Sequence, residues 1–333
     1  MTYYGCWMYK FEEAKRQGAA AALAIHETDP AGYEWDIVQK SFGNSQLILD
    51  DADIDESALQ IEGWLHIDAA KALFERAGLD FQELKEEAAD KDSDFEPRSL
   101  GSAQLEVNSD VEATEYSNNI VAMLEGDDDP NETVLVTAHW DHLGTNQDGE
   151  IFNGAIDNAA GLAGVLELAR LLKSEDKTFK RSILFVNFSA EEAGLLGAIY
   201  FTQHLPVDMT VSAVLNLEGL NVNDTVDYIT NYNPGGDLEC LLQDAANAQG
   251  RTVELDPTPQ DGKKFRSDHW PFGLQGIPWL LFWFNDPDYF DNRYHQPTDI
   301  YNENWTMKGA IQDLDLIKDI IEKISNKEAC DLS

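Results

Sequence analysis

From residue 119 onward, short continuous apolar runs alternate with longer segments in which apolar residues return every three or four positions. The runs 120–124, 134–138, 183–188, 211–217 and 277–284 are uninterrupted enough to be strands buried on both faces. The segment 158–172 has helical spacing, with Leu162, Val165, Leu166, Ala169 and Leu172 expected on one face, and 235–248 and 307–324 are amphipathic in the same way. Strand and helix in alternation predict an α/β fold with a mainly parallel central sheet flanked by helices.

Residues 1–112 follow a different pattern and predict a small α+β domain. A helix over 11–18 leads into an apolar strand over 19–26 and a loop over 28–32. Short strands are expected at 47–49 and 103–107, and helices at 68–77 and 80–89 with Gly78 as the stop between them. The acidic stretch 50–56 lacks the Asp-x-Asp-x-Asp-Gly spacing of a calcium loop and reads as a solvated turn. The charged, proline-containing segment 90–99 is a surface connection, which places the domain boundary near residue 112 and the second domain over 113–333. No internal repeat or low-complexity tract interrupts either part.

Composition narrows the partners. The 333 residues carry a formal charge of −39, spread over both halves of the chain. Such a field repels nucleic acid and anionic membranes, so neither is an expected partner, and it fits a solubility or high-salt adaptation. No apolar run reaches the roughly 20 residues needed to cross a bilayer. Cys6, Cys240 and Cys330 are odd in number and far apart, and they predict neither a disulfide framework nor a thiolate metal site. The first ten residues lack the basic and apolar regions of a signal peptide.

Candidate chemistry collects where the strands of the second domain end. His139 follows one strand in His139-Trp140-Asp141-His142, Glu191-Glu192 follows another, and Glu218 ends a third; Asp157 and His295 lie in loops. Loops beyond the carboxyl ends of parallel strands converge on one crevice. Each residue also has a plainer role: a histidine at a strand end, a glutamate pair opening a helix, an aspartate capping one. Together, imidazoles and carboxylates form a zinc-type donor set, enough for two metals that share a carboxylate. Asp141 is placed to accept the second ring N–H of His139. Trp140, Phe272, Trp283 and Tyr289 could line an apolar pocket or belong to the core.

These blocks, with 154–161, Ser267-Asp268-His269 and Tyr294-His295-Gln296-Pro297-Thr298-Asp299, resemble the di-zinc exopeptidases, a family that includes bacterial leucyl aminopeptidases and, more distantly, glutamate carboxypeptidase and the transferrin receptor. The resemblance covers about residues 113–327. It implies that His139 ligates a first zinc, that Asp157 bridges two, that Glu192 and His295 ligate the second, and that Glu191 is the general base. Tyr294 would polarise the scissile carbonyl, Asp141 and Asp268 would support the ligands or the substrate, and a cis peptide would follow Asp157. The remaining ligand of the first zinc is normally an aspartate; the matching position is Glu218, whose extra methylene changes its reach. Two zinc ions per chain, peptide substrates with a free amino terminus and a secreted or periplasmic setting are implied. A mono-zinc glutaminyl-cyclase-like enzyme and a non-catalytic receptor-like module are the alternatives.

The first domain resembles the later part of a protease-associated domain over 3–43 and 61–88. Relatives carry further chain before that point, so Met1 is expected to be internal to a longer ancestor, which also accounts for the missing signal peptide.

Overall fold

A computed structural model of the chain describes residues 3–43, 45–50, 59–108, 113–146, 148–284 and 286–328. The chain divides into two units, Met1–Val38 with Asp50–Tyr116 and Gln39–Leu49 with Ser117–Ser333. The acidic turn expected at 50–56 lies almost wholly outside the described residues, as do the position near 112 and Cys330.

The first unit contains α1 (Trp7–Arg16), β1 (Ala21–His26), α2 (Thr28–Ala31), α3 (Trp35–Phe42, its last residues counted with the second unit), β2 (Ile61–His66), α4 (Ile67–Arg76) and α5 (Phe81–Ala89). β1 and β2 pair in parallel, from Ala21 opposite Ile61 to His26 opposite His66. Phe11, Ala24 and Leu59 form a small core against Trp7 and Trp64. The segments 47–49 and 103–107 form no strand and leave Leu47, Ile48, Leu105 and Val107 exposed. Alternation marks a possible strand, but a strand also needs a neighbour for its backbone N–H and C=O groups.

The second unit runs β3 (Ile120–Leu124), β4 (Asp129–His139), β5 (Gly144–Thr145), β6 (Ile151–Phe152), α6 (Gly161–Ser174), β7 (Arg181–Phe188), α7 (Leu196–Gln203), β8 (Thr210–Glu218), β9 (Tyr228–Asn231), α8 (Glu239–Ala248), β10 (Thr252–Leu255), α9 (Trp270–Gly273), β11 (Trp279–Trp283), α10 (Pro287–Asn292) and α11 (Lys308–Ser325). Five strands form the main sheet in the order β11-β8-β4-β7-β3, parallel except for β3, which runs antiparallel to β7. This is the flanked, mainly parallel α/β sheet that the sequence predicts.

Alternation along the strands feeds two apolar layers. Val134, Val136 and Ala138 pack with residues of α6, α8 and α11 on one face of the sheet. Leu135, Leu184, Val186 and Phe188 pack with Ala198 and Phe272 on the other. With both faces covered, β4, β7, β8 and β11 read as continuous apolar runs in the sequence, whereas the apolar run of β3 lies exposed at the sheet edge.

Within α6 the buried face differs from expectation. Gly161, Gly164, Val165, Leu168 and Leu172 are buried, whereas Leu166 is 59% exposed. A Cβ at Gly164 would lie 2.7 Å from Leu220 Cδ1 and 3.0 Å from Leu217 Cδ2. The helix therefore seats on its glycines, which turns Leu166 outward. Hydrophobicity alone cannot reveal a face built around residues without side chains.

Cys6 is a buried free thiol, whereas Cys240 is disulfide-bonded, a pairing not anticipated from the sequence. Wide spacing in sequence does not measure separation in space. Among the described residues no helix is long and apolar enough to cross a membrane.

The placement of α6 predicts an asymmetry between two substitutions. Gly164→Val should destabilise by about 1–3 kcal/mol through overpacking, while Leu166→Ser should change stability by no more than about 0.5 kcal/mol. Denaturant melts of the two variants check this, and the reverse order would contradict the buried face described here.

Candidate metal centre

The register of the sheet brings the chemistry to one edge. His139, the last residue of β4, stands opposite Phe188, the last of β7, and Glu218, the last of β8, stands opposite Trp283, the last of β11. Three neighbouring parallel strands therefore deliver His139, the turn carrying Glu191 and Glu192, and Glu218 to the same carboxyl edge.

The turn after β7 is held by Asp141. Its carboxylate accepts from Glu191 N at 3.0 Å and Glu192 N at 3.2 Å. This differs from the role expected for Asp141. His139 Nδ1 instead pairs with the Asp141 backbone carbonyl at 3.1 Å, and the carboxylate stands 3.8 Å from that nitrogen. The two backbone amides of the turn claim the side chain.

Asp157 enters through an irregular segment. Residues Ala155–Ala160 form a π-helical turn, and the Asp157–Asn158 peptide is cis, as the resemblance implies. Gly154 has φ of +61°, and a Cβ there would lie 2.3 Å from Asp157 O and 2.6 Å from His142 Cγ. The Asp299 carboxylate accepts from Ile156 N at 3.0 Å and Asp157 N at 3.1 Å. Capping falls to Asn158 instead of Asp157: Asn158 Oδ1 accepts from Gly161 N and Gly219 N, and its Nδ2 donates to Leu217 O. Asp157 is thereby released from capping and projects between the histidines.

Its two oxygens face different rings. Oδ1 lies 3.2 Å from His139 Nε2, and Oδ2 lies 3.4 Å from His295 Nε2. Glu218 Oε1 also reaches His139 Nε2, at 3.1 Å, so the longer side chain is accommodated. Glu218 Oε2 accepts from Ser267 Oγ in a short hydrogen bond. Glu192 Oε2 lies 3.2 Å from His295 Nε2, while its Oε1 accepts from His142 Nδ1 at 2.7 Å.

Among the described residues, two groups of donors could hold a metal ion: His139 with Glu191 and Glu218, and His142 with Asp157 and Glu192. The sequence leaves His142 evenly between an outer partner of the site and a surface residue. It emerges as a partner of Glu192 whose buried Nε2 has no hydrogen bond. Ser267 and Asp299 lie inside the blocks that carry the resemblance, but the sequence assigns them no role of their own.

Tyr294 stacks on His295, with ring centroids 4.0 Å apart and planes 26° from parallel. Asp268 is fully buried, and neither of its carboxylate oxygens makes a hydrogen bond. Phe272, Trp283 and Tyr289 belong to the apolar core, and Trp140 is 44% exposed.

The electrostatics separate two adjacent carboxylates. Burial, reinforced by Glu218, Glu192 and Asp268 against the opposing pull of His139, pushes Glu191 well above the ordinary carboxylate range. Burial also raises Glu192, but His295 and the bond from His142 overcome it and hold Glu192 at about 2. Asp157 is likewise held well below its ordinary value, burial notwithstanding, by His139 and His295. Burial lowers His295, yet Glu192 and Asp157 raise it to about 10.

The residues fit a metal centre. Asp157, Glu191, Glu192, Glu218 and Asp268 outnumber His139, His142 and His295, so the cluster holds more carboxylates than its imidazoles can pair. Asp157 Oδ1, both Asp268 oxygens and His142 Nε2 are buried without hydrogen-bond partners. Nitrogen and carboxylate oxygen donors in this combination suit zinc.

Comparison with known proteins places this arrangement among peptidases. A family described as Peptidase family M28 matches residues 119–317. Aminopeptidase YwaD of Bacillus subtilis is 31% identical over 182 residues, 50% of this chain and 35% of that protein. Leupeptin-inactivating enzyme 1 of Streptomyces exfoliatus is 29% identical over 168 residues, again 50% of this chain and 35% of that protein. The chain thus spans about a third of the length of these curated relatives. The solved structure of BSAP, a zinc aminopeptidase from Bacillus subtilis, superposes with a TM-score of 0.50 at 26% identity, covering 63% of this chain and 50% of its own. The LapA aminopeptidase of Legionella pneumophila shares the fold, with a TM-score of 0.52 at 23% identity over 63% of this chain and 56% of its own.

A buried cluster with more carboxylates than imidazoles should be stabilised by the cation it fits. Zinc at a hundredfold excess over its dissociation constant contributes about 2.7 kcal/mol. Treatment with a chelator should therefore lower Tm, and added zinc should restore it. A Tm indifferent to both treatments would contradict the metal fit.

Proposed function

The chain belongs to peptidase family M28, and from that premise we propose that it is a zinc-dependent aminopeptidase that removes amino-terminal residues from peptides. The observation that carries this reading is Asp157, whose two oxygens face different histidines and so suit a carboxylate shared by two ions. His139 and Glu218 would complete the first site, and Glu192 and His295 the second. Bound zinc would supply Lewis acidity, polarising the scissile carbonyl and lowering the pKa of a water molecule.

Glu191 then acts as the general base. It takes a proton from the attacking water and returns it to the leaving amine, a role suited to a carboxylate whose proton affinity burial raises well above the ordinary range. The Asp141 carboxylate holds the Glu191 backbone in place for that transfer. Burial, with Asp157, Glu192 and Glu191 nearby, keeps the Tyr294 phenol protonated well above its ordinary value, which suits donation to the developing oxyanion. The Asp268 carboxylate, buried without a hydrogen-bond partner, supports an anchoring role for it with Glu191 and Glu218 at the substrate ammonium group.

Residues 1–112 are read as part of a protease-associated domain and residues 113–333 as the peptidase domain. A secreted or periplasmic setting is supported by the disulfide at Cys240, because disulfides persist in oxidising compartments.

Glu191→Gln should lower turnover of an aminoacyl chromogenic substrate by about 10²–10⁴-fold with zinc content unchanged. Retained turnover would remove Glu191 as the base, and loss of zinc together with activity would make it a ligand instead. Acetylating the substrate's amino terminus should abolish cleavage; equal hydrolysis of blocked and free substrates would overturn the aminopeptidase reading.

A further inference from the structure

Gln39–Leu49 interrupts the first unit in sequence but belongs to the second. Two of its residues meet the loop that carries His295. Lys40 Nζ donates to Gln296 Oε1 in a short hydrogen bond, and Ser41 Oγ lies 2.9 Å from His295 Nδ1. The opposite ring nitrogen, Nε2, is the one that faces Glu192 and Asp157.

An imidazole that offers its Nε2 lone pair to a metal carries its proton on Nδ1. That N–H must donate, and Ser41 Oγ is the atom placed to accept. His295 has a left-handed backbone, with φ of +53°. Tyr294 stacks against the face of the ring and restrains its tilt, but stacking leaves rotation within the ring plane open. The Ser41 contact removes that freedom. His139 meets the same need differently, since its Nδ1 is paired with a backbone carbonyl two residues away. For His295 the partner is a side chain 254 positions distant in sequence.

We propose that Ser41 is a positioning residue of the second metal site: it accepts the Nδ1 proton of His295 and so fixes the tautomer and ring orientation in which His295 would ligate. The proposal rests on the zinc reading above and extends the site to a segment that lies within the first domain by sequence order. It makes Ser41 an outer partner of His295 as His142 is of Glu192, and loss of such partners weakens metal binding without removing a ligand.

The test uses the full chain, stripped of metal and titrated with zinc against a chromogenic chelator. Wild type should show two affinities. Ser41→Val should weaken one of them by about 10- to 100-fold and leave the other unchanged, while Ser41→Thr, which has nearly the same shape but keeps the hydroxyl, should restore wild-type binding. Ser41→Ala should behave as Ser41→Val does, and melting of the metal-free variants separates a folding defect from a loss of affinity. Unchanged affinities in both Ser41→Val and Ser41→Ala, or a Ser41→Thr as weak as Ser41→Val, would overturn the role of the hydroxyl. A wild-type chain that binds no zinc would instead overturn the metal centre, and the positioning role with it.

Discussion

Repulsion among five carboxylates held out of water is the constraint on which the second unit depends. Asp157, Glu191, Glu192, Glu218 and Asp268 converge on three imidazoles, and removing each charge from water costs several kcal/mol unless it is paired. The surrounding structure supplies fixed donors. Backbone amides bind Asp141 and Asp299, which hold the turn of Glu191 and Glu192 and the segment of Asp157 in place. Ser267 and His142 satisfy the outer oxygens of Glu218 and Glu192. The inner atoms are left facing one another, an arrangement that a bound cation relieves.

The sheet makes this tolerable by keeping the ligands level. β4, β7 and β8 are buried on both faces, and a one-residue slip of any of them would exchange its apolar layers and withdraw its terminal residue from the edge. A buried polar chain reinforces the register: Thr137 Oγ1 donates to Asn216 Oδ1 at 2.6 Å, Asn216 Nδ2 donates to Ser267 Oγ at 2.7 Å, and Ser267 donates to Glu218. Asn158 ties the end of β8 to the start of α6 through both of its side-chain functions. Such a network is stable only when fully satisfied, so it couples the position of each ligand to the packing of the sheet.

Several features were legible before any coordinates and others were not, for identifiable reasons. The continuous apolar runs marked every strand of the main sheet, but only in β4, β7, β8 and β11 does that trace come from burial; β3 is an edge strand whose Ile120, Val121 and Met123 are exposed, against the double burial expected for 120–124. The face of α6 was misjudged because glycines form its contact. The strands expected at 47–49 and 103–107 failed for want of a neighbour, and β9 and β10, four residues each, are too short to show periodicity. The motif around His139 pointed to Asp141, but which of its oxygens serves the ring depends on two amides some fifty residues away.

The succession of strands along the chain, the mainly parallel sheet and the strand ends that carry His139, Glu191, Glu192 and Glu218 are set by the sequence itself, since burial pattern and strand ends are local properties of the chain. Only the tertiary structure decided how those residues divide their work. Glu191 and Glu192 are adjacent and chemically identical, and they are driven to opposite proton affinities by neighbours brought from elsewhere in the chain. Asp157 faces two histidines because Asn158 and Asp299 relieve it of capping, and Ser41 Oγ stands beside the outer ring nitrogen of His295. Pair distances and desolvation are sums over residues remote in sequence, and they acquire values only when the chain has closed around them.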